Sequence, residues 1–324
     1  MTLLRTILVE AAKRALVILF VITGTFFLVR MAPGDPAIFI AGEAGGGDPA
    51  ILERIRVELG LDRPLPAQWA LYVRDVLTLD LGNSYRQGRP VLDLIAERLP
   101  NTLILAGASF LLALLLGVAA GFVAAVNRGK AADKLVSVAS VLFFSSPYYW
   151  VALLAILLFS AKLGWLPSGG TQTIGAGYTG LRAMTDYLHH LILPATASAL
   201  FTMAIYARLV RASMIEVSNT VFVKAAHAKG MAPGRIWLAH VLRCSLLPIT
   251  TMAGVQAGQL VAGTILTETV FAWPGIGRLM YEALLQRDYN VVIGVFIVTS
   301  VVVIAANLIV DLLYRVIDPR TVRG

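Results

Sequence analysis

The sequence contains few charged residues. Asp, Glu, Lys and Arg make up 14% of its 324 residues, whereas 58% are hydrophobic and the mean hydropathy is +0.77. A soluble globular domain carries about 25% charged residues, so this composition excludes that class and predicts an all-α polytopic membrane protein. There is one cysteine, Cys244, which excludes an internal disulfide bond.

The sequence also lacks the motifs of common catalytic and nucleotide-binding sites. Gly129-Lys130 has neither the following Ser or Thr nor the earlier glycine of a phosphate loop, so we do not expect this chain to hydrolyse ATP. The segment 175–180 matches a dinucleotide-binding pattern by letter, but no predicted strand precedes it. His189 and His190 are adjacent, and neighbouring helical residues point in different directions, which disfavours a shared metal ion.

Six runs of apolar residues contain no Asp, Glu, Lys or Arg. A charge at the centre of a spanning helix costs about 2.5–3.5 kcal/mol on insertion scales, so charge-free runs of about 20 residues predict membrane-spanning helices. We therefore predict six transmembrane helices, with both termini on one side of the membrane. The runs are 15–29, 102–127, 135–161, 191–207, 244–267 and 291–310.

The distribution of basic residues predicts the orientation. If the termini are cytoplasmic, the inner segments hold 15 basic and 5 acidic residues, and the outer segments hold 12 basic and 14 acidic ones. Cytoplasmic loops are enriched in Lys and Arg, so we predict that the N- and C-termini are cytoplasmic. The same rule explains the net charge of +8 without a nucleic-acid partner.

Two outer segments differ in character. Residues 31–101 contain three predicted helices, at 48–60, 68–79 and 91–99, because an Asp-Pro pair opens the first and apolar residues line one side of the last. The segment 168–187 is rich in Gly, Ser and Thr and is predicted to be a loop. We therefore expect a structured outer segment between the first two spans.

A basic, hydrophilic island at 223–248 separates two apolar runs. Its alanines favour a helix, Gly230 suits a helix stop, and Pro233 can open the next helix. Apolar residues from Ile236 onwards give a second short helix one apolar side. The pattern predicts a helix–turn–helix hairpin exposed on one membrane face, in which the small side chain of Ala226 leaves room for another protein's surface.

This hairpin resembles the coupling loop of binding-protein-dependent ABC importer permeases of the dipeptide/oligopeptide group. The shared pattern is an Ala-Ala-x-Ala-Lys-Gly run followed by His-x-Leu-Arg, although Lys224 stands where the family signature has Glu and Cys244 stands where Asn is common. Other stretches similar to that group are 33–36, 63–66, 80–84, 98–102 and 268–278. The resemblance implies that the loop 208–243 couples to an ATPase through Lys224, Ala225, Ala226, His227, Ala228, Lys229, Gly230, Arg235, His240 and Arg243.

The resemblance also implies an architecture and a function. The fold expected is that of a type I ABC importer permease with six transmembrane helices and a structured periplasmic segment. The chain would divide into an N-terminal segment with the first span (1–30), a periplasmic segment (31–101), a five-helix core (102–315) and a cytoplasmic tail (316–324). It would form half of a translocation pathway for peptides or similar small solutes in the bacterial cytoplasmic (inner) membrane.

The partners implied are a second homologous permease subunit, two ATP-binding cassette ATPase subunits, a periplasmic or lipid-anchored solute-binding protein, and membrane lipid. ATP and Mg would be bound by the ATPase subunits, and no cofactor by this chain. The segment 31–101 is then either a surface that receives the solute-binding protein or a lid that packs over the span ends, and the residues favour neither.

Polar residues in the spans are candidates for the pathway. Gln256 and Gln259 lie three residues apart on one helix face, which favours the pathway slightly over helix–helix contact. Glu268 follows the fifth run, either as part of an outer gate or, as the sequence slightly favours, as a helix-end carboxylate in water. Phe271 and Trp273 suit a membrane interface.

Two other functions are consistent with a polytopic membrane protein. A stand-alone secondary transporter or channel would be expected to carry an ionisable residue in mid-span or inverted repeats, and an intramembrane enzyme would need paired Asp residues, a Ser/His pair or a His-Glu-x-x-His array in the spans. The sequence shows none of these. Copurification with an ATPase would distinguish an ABC permease from both alternatives.

Overall fold

The computed structural model describes the backbone of residues 2–31, 57, 63–257 and 262–317. The described residues are almost entirely helical, and their one β-bridge pairs Asn83 with Pro90. The chain forms two compact units: Met1–Arg98 with Leu279–Ile304, and Leu99–Arg278 with Ala305–Gly324.

In the first unit, helix α1 (Thr2–Met31) packs against helix α2 (Leu65–Leu77). Trp69 Nε1 donates a hydrogen bond to Thr23 Oγ1 at 3.1 Å. Ile22, Val76 and Ile297 form a small apolar core beside this contact. Helix α2 corresponds to the predicted run 68–79, while the predicted helix at 48–60 lies outside the described residues except for residue 57.

The third predicted outer helix, 91–99, is not a separate element. Helix α3 runs without a break from Val91 to Val126 and passes through Pro100. A proline removes one backbone donor, but neighbouring groups can re-satisfy the freed backbone where the flanks are packed. The side chains of Asn101 and Thr102 make tertiary hydrogen bonds at this point, which holds the chain in place after the proline.

The predicted span 135–161 is broken rather than straight. Helix α4 (Ala131–Ser145) and helix α5, which begins at Tyr148 and continues through π-helical turns to Lys162, meet at an angle of 108°. Ser146 is extended, with φ −80° and ψ 138°, because the ring of a following proline disfavours the helical conformation. The sequence Ser-Pro at 146–147 therefore ends the first helix and opens the second.

Helix α6 (Leu181–Ser218) contains the predicted span 191–207 and extends beyond it at both ends. The loop predicted at 168–187 consequently ends at Gly180, and its last part is helical. Asp186 on α6 accepts hydrogen bonds from the backbone N and Oγ1 of Thr173, each at 2.7 Å. The remaining loop is thus tied to the helix.

The hairpin region consists of helix α7 (Val221–Ala228) and helix α8 (Pro233–Ala257), whose turns from Ile236 to Leu242 are π-helical. The predicted second short helix is therefore the beginning of α8, which continues into the fifth apolar run, and not a separate element. A 3₁₀ turn (Ala262–Thr264) and helix α9 (Ile265–Val270) follow residues outside the description. Helices α10 (Ile276–Gln286) and α11 (Tyr289–Ile317) complete the chain.

Among the described residues, four helices are long and apolar enough to cross a membrane, namely α3, α6, α8 and α11, and the bent pair α4–α5 adds a fifth if it is one span. The first apolar run lies within α1. The predicted class, an all-α polytopic membrane protein, is confirmed, whereas the number of six spans stays a prediction.

Two glycines set the distance between α3 and α6. A Cβ on Gly117 would lie 2.5 Å from the Cβ of Tyr206, and one on Gly121 would lie 2.6 Å from the Ala207 carbonyl oxygen. The helices therefore approach closely enough for backbone contact. Beside this contact lies an apolar core of the second unit, which also receives side chains from the hairpin.

Candidate functional site

The turn of the hairpin is built as the sequence predicts. Gly230 has φ +74°, and a Cβ there would meet nothing within 4 Å. Its backbone N donates to the carbonyl oxygen of His227 at 2.9 Å, and that of Met231 donates to Ala226 at 3.3 Å. These bonds close the end of α7, so the left-handed conformation of one residue reverses the chain.

The hairpin has one side that is buried against the protein and one side that is accessible. Val223 and Ala226 on α7 are 1% and 7% exposed and pack with Ile236 and Val241 in the core beside α3 and α6. The predicted role of Ala226, to leave room for a partner surface, is therefore wrong, because its methyl group faces the chain's own core.

The other predicted coupling residues lie on the accessible side, and His240 is half-buried there. The exposed ones are Lys224, Ala225, His227, Ala228, Lys229, Gly230, Arg235 and Arg243. Sequence reasoning missed Val221 and Phe222, which are 81% and 46% exposed. The signal that could have indicated them is their position, as two apolar residues directly before the hydrophilic island. The accessible side therefore combines basic, small and apolar groups, a combination suited to a protein contact.

An ion pair lies where α4 meets α6. The carboxylate of Asp133, which is 4% exposed, receives two hydrogen bonds from the guanidinium of Arg211 and one from the backbone N of Gly129 at 2.9 Å. Gly129 has φ +80°, which brings its N–H to the carboxylate. The pair joins the beginning of α4 to α6 seven residues before that helix ends, close in sequence to the hairpin.

A cavity of about 380 Å³ lies among α3, α5, α6, α8 and α9. Its described lining is free of Asp, Glu, Lys, Arg and His and combines aromatic rings with hydroxyl and amide groups. Gln256 lines it, and its role in a pathway stays a prediction, whereas Gln259 lies outside the described residues. The polar lining residues are Ser109, Tyr148, Ser198, Thr202, Gln256, Thr264 and Thr267.

Three of these hydroxyl groups form a hydrogen-bonded ring, which we name the hydroxyl triad. Tyr148 Oη donates to Thr267 Oγ1 at 2.7 Å, Ser198 Oγ lies 2.8 Å from Thr267 Oγ1, and Tyr148 Oη lies 3.2 Å from Ser198 Oγ. The three residues belong to α5, α9 and α6, so the triad links three helices at the cavity wall.

Glu268 is fully buried, so its interpretation as a helix-end carboxylate in water is wrong. Its carboxylate accepts hydrogen bonds from the hydroxyls of Thr102 at 2.7 Å and Thr264 at 3.0 Å, and from the backbone N of Arg278 at 2.9 Å and of Gly277. Four donors from three parts of the chain replace the water that the sequence suggested. A gate role for Glu268 stays a prediction; its link to the cavity is Thr264, which lines it.

The segment after Glu268 is held against α3 at Asn101 and Thr102. Thr102 Oγ1 accepts a hydrogen bond from the backbone N of Ile276 at 2.9 Å, and Trp273 Nε1 donates to the Asn101 carbonyl oxygen at 3.0 Å. Phe271 and Trp273 are completely buried, so their predicted place at a membrane interface is wrong. The indole N–H finds its partner within the protein instead of the headgroup region.

The two adjacent histidines have separate partners. His189 Nε2 lies 2.9 Å from the carbonyl oxygen of Trp165, and His190 Nδ1 lies 2.9 Å from that of Asp186. The rings are nearly perpendicular, at 85°, which agrees with the expectation that they point in different directions.

Comparison with known families identifies the chain. Residues 3–106 match the N-terminal model, and residues 117–323 the main model, of the binding-protein-dependent transport system inner membrane component. The chain belongs to this family. The resemblance drawn from the hairpin and from the motifs on either side of it is thereby confirmed.

Curated relatives cover nearly the whole permease. It is 39% identical over 314 residues to a protein of Brucella abortus (strain 2308) that carries the provisional name of a peptide transport system permease, covering 97% of this chain and 98% of that one. It is 36% identical, over an aligned length of 331 residues, to the dipeptide transport system permease protein DppB of Alkalihalophilus pseudofirmus. This alignment covers 97% of this chain and 99% of that one. A relative in Escherichia coli (strain K12), named provisionally as the D,D-dipeptide transport system permease DdpB, is 39% identical over 315 residues, with 93% and 92% covered.

A solved structure has the same fold. A chain of the MetNI methionine ABC transporter, in an inward-facing conformation, aligns with a TM-score of 0.54 at 19% identity, covering 69% of the permease and 96% of that chain. The sequence-based prediction of a membrane subunit of an ABC importer, rather than an enzyme, is confirmed by the family and by these relatives.

Proposed function

We propose that the permease forms one half of the membrane pathway of an ABC importer for peptides or similar small solutes. The observation that carries this proposal is the uncharged cavity of about 380 Å³, whose hydroxyl and amide groups can exchange hydrogen bonds with the amide groups of a peptide. Relatives named for peptide and dipeptide transport support the same class of solute.

The cavity wall comes from one chain, and the pathway requires a second wall. A second homologous permease subunit would supply it. Because the described lining carries no formal charge, it offers a solute hydrogen bonds but no ion pair, and selection would rest with a periplasmic or lipid-anchored solute-binding protein outside. The segment 31–101 would then lie on the side where that protein docks.

The accessible side of the hairpin would receive an ATPase. Two ATP-binding cassette ATPase subunits, one for each permease, would bind ATP and Mg, and this chain would bind no cofactor. The exposed residues from Val221 to Gly230 surround a rigid turn, which would transmit closure of the ATPases to the core beside α6. On the predicted topology this side, like both termini, is cytoplasmic, and the chain lies in the bacterial inner membrane.

The test is purification of the permease from membranes with its partners, followed by measurement of ATPase activity and solute uptake in proteoliposomes. We expect two ATPase subunits to copurify and the solute-loaded binding protein to stimulate hydrolysis. Gln256→Leu should lower uptake several-fold, because it removes an amide from the cavity, while ATPase retention stays normal. Gln286→Leu, at an exposed position, is the matched control.

Uptake by the permease alone, without an ATPase, would overturn the importer proposal. If Gln256→Leu instead prevented assembly, the glutamine would be a contact between helices and not part of the pathway.

A further inference from the structure

The three hydroxyls of the hydroxyl triad satisfy one another's hydrogen-bond donors and acceptors. Each of its three hydroxyls has one proton to donate and lone pairs to accept, and a ring of three uses every proton once. The structure fixes one direction, since Tyr148 donates to Thr267; Thr267 can then donate to Ser198 and Ser198 to Tyr148. Hydrogen bonds in such a chain strengthen one another in a low dielectric. The ring therefore needs neither water nor solute to satisfy it.

The triad joins segments that must separate if the cavity is to widen between them. Tyr148 begins α5 immediately after the 108° bend, Ser198 lies within α6, and Thr267 lies in α9. The bend at Ser146–Pro147 is a place where backbone angles can change without breaking regular helical bonds, as hinges require. Helix α5 can thus move away from α6 and α9 only after the hydrogen bonds of Tyr148 break, and α6 can move away from α9 only after the bond between Ser198 and Thr267 breaks.

The triad also has a defined place along the proposed pathway. On the predicted topology Tyr148 and Ser198 lie near the middle of the third and fourth apolar runs, and Thr267 lies at the outer end of the fifth. All three line the cavity. The triad is therefore part of the cavity wall, and α5, which begins at Tyr148, is the outer half of the third run.

We infer that the hydroxyl triad holds α5, α6 and α9 together in the closed arrangement of this half-pathway, and that its hydrogen bonds must break when the importer opens towards the binding protein. This inference rests on the proposed function. Tyr148, Ser198 and Thr267 are positioning residues, because they act by fixing α5, α6 and α9 in the closed arrangement.

The first test uses two adjacent tyrosines. Tyr148→Phe removes one hydroxyl and keeps the aromatic side chain. Tyr149→Phe makes the same change at a side chain that is 55% exposed and outside the cavity lining. In the triad Tyr148 donates one hydrogen bond and accepts another, so Tyr148→Phe removes both from the closed state. This loss should favour opening, and ATPase activity without the binding protein should rise roughly two- to tenfold. Tyr149→Phe should match the unmodified complex.

Ser198→Ala and Thr267→Val should raise the same unstimulated ATPase rate, because each also removes one hydroxyl from the hydroxyl triad. Retention of the ATPase subunits checks that every variant assembles. If Tyr148→Phe and Tyr149→Phe have equal rates in a complex whose unmodified form responds to the binding protein, the triad proposal is overturned while the proposed function stands. An unmodified complex that shows no response overturns the proposed function itself.

A second measurement tests the triad without relying on ATPase rates. Cys244 is the only cysteine, so Cys244→Ser gives a background into which Ser198→Cys and Thr267→Cys place a single pair. The Oγ atoms they replace are 2.8 Å apart, within reach of a disulfide bond. We expect an added oxidant to join the pair, uptake to stop, and a reductant to restore it. Failure to cross-link, or full uptake in the cross-linked complex, would overturn the proposal.

Discussion

At the scale of single residues, the structure separates two roles of small side chains in the hairpin. Gly230 is required by backbone conformation, since its φ is +74° and the space around it is open. Ala226 is required by packing, since it is 7% exposed in the core. Both lie in the motif that resembles a coupling loop, but only Gly230 and the exposed residues beside it are available to a partner.

We predict that Gly230→Val lowers coupled uptake strongly while leaving the permease inserted. A side chain with a Cβ costs about 1–2 kcal/mol in the left-handed conformation, and a β-branched one is disfavoured most. Gly230→Asn should retain most activity, because Asn tolerates that conformation. Gly234→Val is the control, as Gly234 also has open space but lacks a positive φ. Uptake and retention of the ATPase subunits are measured in each; normal coupled uptake in Gly230→Val contradicts the role of the turn.

At the scale of elements, the close approach of α3 and α6 depends on Gly117 and Gly121. We predict that Gly117→Ala and Gly121→Ala each lower the free energy of unfolding by about 1–3 kcal/mol, the usual cost of overpacking. Gly107→Ala on the same helix should be neutral or slightly stabilising, because a Cβ there meets nothing within 4 Å. The measurement is thermal unfolding in detergent. Equal melting temperatures for all three variants would show that α3 and α6 can move apart without loss of stability.

The same scale shows which elements could be predicted from the sequence. The turn at Gly230 and the start of a helix at Pro233 depend on neighbouring residues only, and both were predicted correctly. The bend at Ser146–Pro147 also depends on neighbouring residues only, but a search for runs without charged residues does not detect a Ser-Pro break inside such a run. The inward direction of Ala226 and the burial of Glu268 could not be predicted, because they depend on side chains far away in sequence, such as Thr102.

At the scale of the whole molecule, the orientation in the membrane remains to be measured. The excess of basic residues in one set of loops predicts that the hairpin is cytoplasmic. Cys244, the only cysteine, is exposed on α8 directly after the hairpin. We predict that a membrane-impermeant thiol reagent labels it only after the cells are permeabilised. The Cys244→Ser variant is the control for background labelling, and labelling of Cys244 in intact cells would reverse the orientation.

The buried carboxylate of Glu268 has a consequence for biosynthesis. Its bond to Thr102 joins residues 166 positions apart, so about half of the chain must be made after Thr102 before this contact can form. Chains emerge from the ribosome in order, N-terminal parts first. Until then the Thr102 hydroxyl lacks the carboxylate, and the Asn101 carbonyl oxygen lacks the indole N–H of Trp273. The surroundings of Asn101 and Thr102 on α3 are therefore completed late, and a chain interrupted before Glu268 leaves both groups without these partners.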